Sequence, residues 1–130
     1  VPAILFLCVK NSARSQMAEG LARALAPSGY RFWSAGSDPG QLNPLAIAAL
    51  AEQQIDISSH RAKGLADVPL EDIDTIVTLC AEEVCPAVPG QVSRLHWPLP
   101  DPKDLPSFRT VRDELRRRLP ALWDADQGLR

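Results

Sequence analysis

Cys8 and Arg14 are separated by five residues, Val9-Lys10-Asn11-Ser12-Ala13, and Ser15 follows directly. A thiol and a guanidinium at this spacing suit attack by sulfur on the central atom of a tetrahedral oxyanion. In a tight loop the backbone N–H groups point inward and make an anion nest. A helix beginning after it adds unpaired N–H groups and the positive end of its dipole. Arg14 brings a planar fork matched to two oxygens of the anion. The same positive field favours thiolate over thiol at Cys8, and Ser15 can donate a hydrogen bond to it. Asn11 tolerates left-handed backbone angles and suits the bend. The expected oxyanion-binding set is therefore Val9, Lys10, Asn11, Ser12, Ala13 and Arg14. The plainer alternative is a buried structural cysteine beside a surface arginine, and spacing alone does not exclude it. Placement argues against it.

That placement comes from the flanking patterns. The apolar run Ala3-Ile4-Leu5-Phe6-Leu7 leads into Cys8, and Met17-Ala18-Glu19-Gly20-Leu21-Ala22-Arg23-Ala24-Leu25 follows with helical spacing. A buried strand ends at the thiol, a loop turns, and a helix begins. Further along, the patterns predict a helix over 15–26, a strand over 31–34, and a helix from Pro44 to about Gln53 capped by Asn43. In that helix Leu45, Ala48 and Ala49 are read as sharing a face, with Ile47, Leu50 and Ala51 beside it. A short helical piece is expected near 61–66, then strands over 75–79 and 94–96. A last helix starting near Pro106 carries Phe108, Val111, Leu115 and Leu119, and Pro120 ends or kinks it. Alternation of apolar runs with helical patterns predicts an α/β fold: one three-layer domain over 1–130, a four-stranded parallel sheet flanked by helices. Cys8, Cys80 and the segment after His96 then fall at carboxyl ends of strands, where open α/β sheets bind ligands.

Composition narrows the class. The chain has 130 residues, is 45% hydrophobic and 23% charged, and carries a net charge of −2, ordinary for a globular domain with its own core. No basic footprint for nucleic acid is present. No apolar run approaches the roughly 20 residues of a membrane span, and the first apolar run lacks the basic leader of a signal peptide. Three cysteines make an odd count, unsuited to a static disulfide framework, and point to thiol chemistry in a reducing cytoplasm. Many of the 12 prolines gather between Pro86 and Pro106, where irregular structure is expected.

Two further features bear on chemistry. Cys80 and Cys85 flank a short segment, which suggests a disulfide relay. The alternatives are two cysteines packed as small apolar groups and a zinc site with His96, whose spacing fits no common pattern. Asp101 sits between Pro100 and Pro102, where a carboxylic acid can protonate an oxygen leaving the central atom; the alternative is a turn aspartate. His60, His96, Trp33, Trp97 and Trp123 are read as structural, and Arg116, Arg117 and Arg118 as a solvated face.

Residues 8–20, with Ser34-Ala35-Gly36, Asp56-Ile57-Ser58, Thr78-Leu79-Cys80 and His96-Trp97, resemble the low-molecular-weight protein tyrosine phosphatase superfamily. The wording of the first loop resembles the arsenate reductases built on that fold. The resemblance covers nearly the whole chain. It implies a reaction in which Cys8 attacks arsenate, Arg14 and the loop amides hold it, and Asp101 is the acid. It also implies that Cys80 attacks Cys8, that Cys85 attacks Cys80, and that an external thiol restores the pair. Thioredoxin is the first expectation for that reductant, with glutaredoxin or a low-molecular-weight thiol as alternatives. Phosphate or sulfate would compete for the nest, no cofactor would be bound, and the protein would be monomeric. The segment between Cys80 and Cys85 is shorter than in thioredoxin-linked members. The aromatic residues that phosphatases of this family carry after the aspartate are replaced by Lys103-Asp104-Leu105-Pro106, which argues for a small inorganic anion. Some members bind potassium near the loop. Asn11, Glu19 and Ser34 match part of that site, and Lys63 stands where an acidic residue would complete it, so no metal is expected. Two other readings stay open: a phosphatase working through a phosphocysteine, and a non-catalytic oxyanion or redox sensor.

Overall fold

The computed structural model describes residues 2–80 and 92–128 of the chain. Cys85 lies outside them. Four strands, β1 (Ala3–Cys8), β2 (Arg31–Gly36), β3 (Thr75–Thr78) and β4 (Ser93–His96), form one parallel sheet in the order β2-β1-β3-β4. Strand β1 is buried along its full length, as its uninterrupted apolar run requires of a central parallel strand. The α-helices are α1 (Arg14–Leu25), α2 (Pro44–Ala51), α3 (Leu105–Arg118) and α4 (Ala121–Gly128).

Because side chains alternate along a strand, β1 serves two cores. Ile4 and Phe6 join Met17, Leu21, Leu50, Phe108 and Leu115 in the larger cluster, to which α1, α2 and α3 all contribute. Ala3, Leu5 and Leu7 face Ala35, Val68, Ile73 and Ile76. Among the described residues, that second face is covered by two 3-10 turns, Leu65–Asp67 and Leu70–Asp72, rather than by an α-helix. Trp123 packs edge-on to Phe32 and Tyr30, so it belongs to the core as expected, while Trp33 and Trp97 are half-buried against it.

Two local expectations need correction, and a third, at Pro120, holds and extends. In α2 the buried residues are Ala46, Ala49 and Leu50, an i, i+3, i+4 stripe shifted from the Leu45/Ala48/Ala49 face; a helix reading Pro-Leu-Ala-Ile-Ala-Ala-Leu-Ala has no polar side to betray its orientation. Residues 61–63 are not helical, because the Lys63 backbone bonds to other segments: its carbonyl accepts from Gly36 N–H and its N–H donates to Asn11. Pro120 does more than end α3. Its carbonyl accepts from Trp123 N–H and Asp124 N–H and opens α4, consistent with proline's fit to a helix start.

Helices α2 and α3 are tied by charge. Glu52, at the end of α2, takes hydrogen bonds at 3.0, 3.1 and 2.7 Å from Arg109 and one at 2.7 Å from Arg112, whose guanidinium also donates to Ala49 O at 2.9 Å. Those hydrogen bonds, Arg109 first, lower the Glu52 carboxyl from 4.5 to about 2. A depressed carboxyl contributes stability above its unfolded value and loses it as pH falls through the folded one. Thermal melts should therefore show a falling midpoint as pH drops from 4.5 to about 2, and Glu52→Gln should flatten that slope. An unchanged slope in the variant would remove Glu52 from the acid response.

Candidate active site

The strand order reverses direction between β1 and β3, so the chain leaves these two strands on opposite sides and opens a crevice at their carboxyl ends. Leu7 pairs with Thr78, which sets Cys8 at one lip and Leu79-Cys80 at the other. Leu99 N–H donates to Leu79 O at 3.1 Å, bringing Pro100 and Asp101 to the same edge.

The loop 9–13 is shaped by what takes its carbonyls. Asp38 N–H donates to Val9 O, Gly40 N–H to Lys10 O and Asn43 N–H to Ser12 O, each at 2.9 Å. With those carbonyls drawn outward onto a strap of residues 38–43, the loop amides are turned the other way, toward the crevice. The Lys10 ammonium pairs with the Asp38 carboxylate, reinforcing the strap at the exposed rim. Asn11 sits at φ 52°, the left-handed angle expected of it. Gly36 is indispensable to this approach: a Cβ there would stand 2.3 Å from Val9 O and 2.9 Å from Asn11 N. Ala13 is the N-cap of α1 and offers no side-chain oxygen, and the first turn holds no acidic residue. The helix's N-terminal field is left for an external anion.

Cys8 is a buried free thiol with Ser15 Oγ 2.9 Å from its sulfur. Arg14 is 5% exposed. Its guanidinium donates to Leu99 O at 2.9 Å and Leu79 O at 3.5 Å, and stands 3.9 Å from the Asp101 carboxylate. Asp101 is largely open to solvent. Cys80 is buried and disulfide-bonded. The structure thus gathers Cys8, Arg14, Ser15, Cys80 and Asp101 at one edge, whereas Cys85 falls outside the described residues.

Beneath the loop lies a buried charge cluster. Glu19 is 2% exposed. It accepts from Ser34 Oγ, pairs with Arg23 at 2.7 Å, and has the Lys63 ammonium at 3.5 Å. That ammonium also reaches Ser34 Oγ at 3.4 Å, and Lys63 N–H donates to Asn11 Oδ1 at 2.8 Å. Asn11, Glu19, Ser34 and Lys63 do come together. Among the described residues, no three His, Cys, Asp or Glu side chains converge as a metal site. His96 shares a 2.7 Å hydrogen bond with Thr78 Oγ1, a structural partner. His60 shares one of 3.0 Å with Gln16 Oε1, and burial chiefly lowers its ring below the usual value, keeping it neutral at neutral pH. Sequence reasoning missed two contributors, Gln16 and the 38–43 strap. The signal for Gln16 was a polar residue inside the apolar stripe of α1; the strap, built from backbone bonds, leaves none.

The chain matches the family described as low molecular weight phosphotyrosine protein phosphatase over residues 3–128. It is 42% identical over 120 residues to arsenate reductase 1 of Staphylococcus haemolyticus, covering 89% of this chain and 90% of that one. In structure it is similar to an arsenate reductase in the phosphate-binding state, with a TM-score of 0.84, 34% identity, and coverage of 94% and 96% of the two chains. It also superposes on a thioredoxin-dependent arsenate reductase of Corynebacterium glutamicum, with a TM-score of 0.81 and 33% identity over all of this chain and 64% of that one.

Gly36→Ala should collapse the anion site without unfolding the domain, since the added methyl meets loop backbone and not a yielding side chain. Calorimetric titration with sulfate should show binding to the parent protein and none to the variant, with circular dichroism unchanged. Equal affinity would show that the strap does not shape the nest.

Proposed function

Because the chain belongs to the low molecular weight phosphotyrosine protein phosphatase family, we propose that its Cys8 loop serves arsenate reduction, with two electrons supplied by the chain's own thiols. The observation that carries this reading is the state of the cysteines: Cys80 is disulfide-bonded while Cys8, on the neighbouring strand end, is free. Hydrolysis of a phosphocysteine needs no second thiol, so the phosphatase reading leaves that bond without a purpose.

Arsenate matches phosphate in shape and charge, and sits in the nest against the loop amides of 9–13 and Arg14. The Cys8 thiolate forms a bond to arsenic, and one oxygen departs as water, its proton coming from Asp101. The Cys80 thiolate then attacks the Cys8 sulfur. The sulfur–arsenic bond breaks with both electrons going to arsenic, arsenite leaves, and a Cys8–Cys80 disulfide forms. Cys85 attacks Cys80, releasing Cys8 as thiolate and leaving a Cys80–Cys85 disulfide. An external dithiol reductant returns that pair to thiols. A thioredoxin-type protein is the proposed reductant, supported by the reductase of Corynebacterium glutamicum, which is thioredoxin-dependent. The protein works as a monomer in the cytoplasm, where thiols stay reduced. No metal takes part: the Lys63 ammonium supplies positive charge beside Glu19.

Cys85→Ser should release one equivalent of arsenite per enzyme and then stall as a Cys8–Cys80 disulfide, identified by non-reducing peptide mapping. Multiple turnover in that variant would overturn the relay and favour the phosphatase reading. Asp101→Asn should slow the single-turnover burst by roughly 10²–10⁴-fold, the range for loss of a general acid. Exchanging potassium for choline in the same burst should leave its rate unaltered. Steady-state reduction assayed separately with thioredoxin, glutaredoxin and a small thiol identifies the reductant; turnover with none of them would reject the function.

A further inference from the structure

Cys8 is the near end of a chain of buried amide and hydroxyl groups, and that chain has a direction. Ser15 Oγ lies 2.9 Å from Cys8 Sγ and 2.7 Å from Asn11 Nδ2; Asn11 Oδ1 lies 2.9 Å from Gln16 Nε2; Gln16 Oε1 lies 3.0 Å from His60 Nδ1. Ser15, Asn11 and Gln16 are all fully buried. A side-chain amide can be turned end for end, so a string of them has no inherent polarity. Here two backbone groups remove the choice. Lys63 N–H, which can only donate, meets Asn11 Oδ1 at 2.8 Å, and Arg61 C=O, which can only accept, meets Gln16 Nε2 at 2.8 Å.

The consequences run in order. With its Nε2 fixed on Arg61 O, Gln16 donates to Asn11 and turns its own oxygen to His60, which must carry its proton on Nδ1. Asn11, accepting from both Gln16 and Lys63, has only its NH₂ to offer Ser15. Ser15 accepts that bond, and its hydroxyl proton is then directed to the Cys8 sulfur. A Cys8 thiol donating to Ser15 instead would strand the hydroxyl proton, because Ser15 is fully buried and the other group on its oxygen, Asn11 Nδ2, is itself a donor. A buried unmet donor costs more than the bond itself contributes.

We infer that Gln16 is a positioning residue for the nucleophile: locked by Arg61 and His60, it sets the polarity through which Asn11 and Ser15 present a donor to the Cys8 sulfur. The inference rests on Cys8 being the nucleophile of the reading above. It concerns the thiol's reactivity and not the fate of arsenic, so the two fail separately.

The test is a double-mutant cycle read by the rate of iodoacetamide alkylation of Cys8 at neutral pH, in a Cys80→Ser, Cys85→Ser background where Cys8 is the only thiol. Gln16→Met keeps the shape and removes the amide. It should slow alkylation about 3- to 10-fold, the scale of one neutral hydrogen bond, while inorganic phosphate affinity stays within about twofold of the parent, as expected where the loop backbone is held by other bonds. Added to Ser15→Ala, the same substitution should change the rate by less than about twofold, since its effect passes through Ser15. An equal slowing with and without Ser15 would overturn the inference, as would a parent-like rate in Gln16→Met. If Gln16→Met loses phosphate binding, His60→Leu decides: it deprives Gln16 of its outer donor from a half-exposed site, and a parent-like alkylation rate there would overturn the inference. Arsenate turnover by the unaltered chain, measured alongside, reports independently on the proposed function.

Discussion

The loop after β1 works only if its carbonyls are drawn outward. A chain turning tightly between a strand and a helix carries as many acceptors as donors, and a nest for an anion tolerates only the donors facing in. The strap at 38–43 takes the carbonyls of Val9, Lys10 and Ser12. Gly36 lets the strand carrying that strap approach within contact of the loop backbone. Lys63 binds both sides of this junction, with its carbonyl on Gly36 and its N–H on Asn11. Remove these neighbours and the same seven residues become an ordinary turn. The anion site is therefore a property of three chain segments held in register.

That constraint explains how much of the site was visible in the sequence. Cys8 and Arg14 were legible because strand, loop and helix leave distinct periodicities on either side of them, and Asn11 because few other residues accept a φ of 52°. Cys80 and Asp101 were legible as residues at strand ends, with roles that depended on family resemblance. The strap was not, since backbone hydrogen bonds place no demand on residue type. Gln16 was visible only as a polar intrusion on an apolar face; its meaning depends on Arg61 and Lys63, remote in sequence. The face of α2 was misread because an all-apolar helix gives periodicity nothing to measure, and the 61–63 segment because its backbone bonds outside itself.

The charge cluster under the loop shows why an acidic chain can still present an anion site. Glu19 is buried behind the nest, where an uncompensated carboxylate would oppose both thiolate and oxyanion. Arg23, Lys63 and the Ser34 hydroxyl surround it, so its field is met locally. The Asp38 carboxylate at the rim is likewise met by Lys10, so the nest responds to its paired surroundings rather than to the net charge of the chain.

Arg14 carries the remaining demand. An exposed arginine would have to be ordered each time an anion arrived, at the cost of its side-chain freedom. Here the guanidinium is held beforehand by the carbonyls of Leu79 and Leu99, the ends of the segments that lead to Cys80 and Asp101. The same contacts that preorganise the fork hold the chain positions of Cys80 and Asp101 relative to it. A shift of β3 would then disturb together the anion binding, thiol exchange and proton delivery proposed for this edge. That shared anchoring gives the parallel sheet, and not the loop alone, its part in the proposed chemistry.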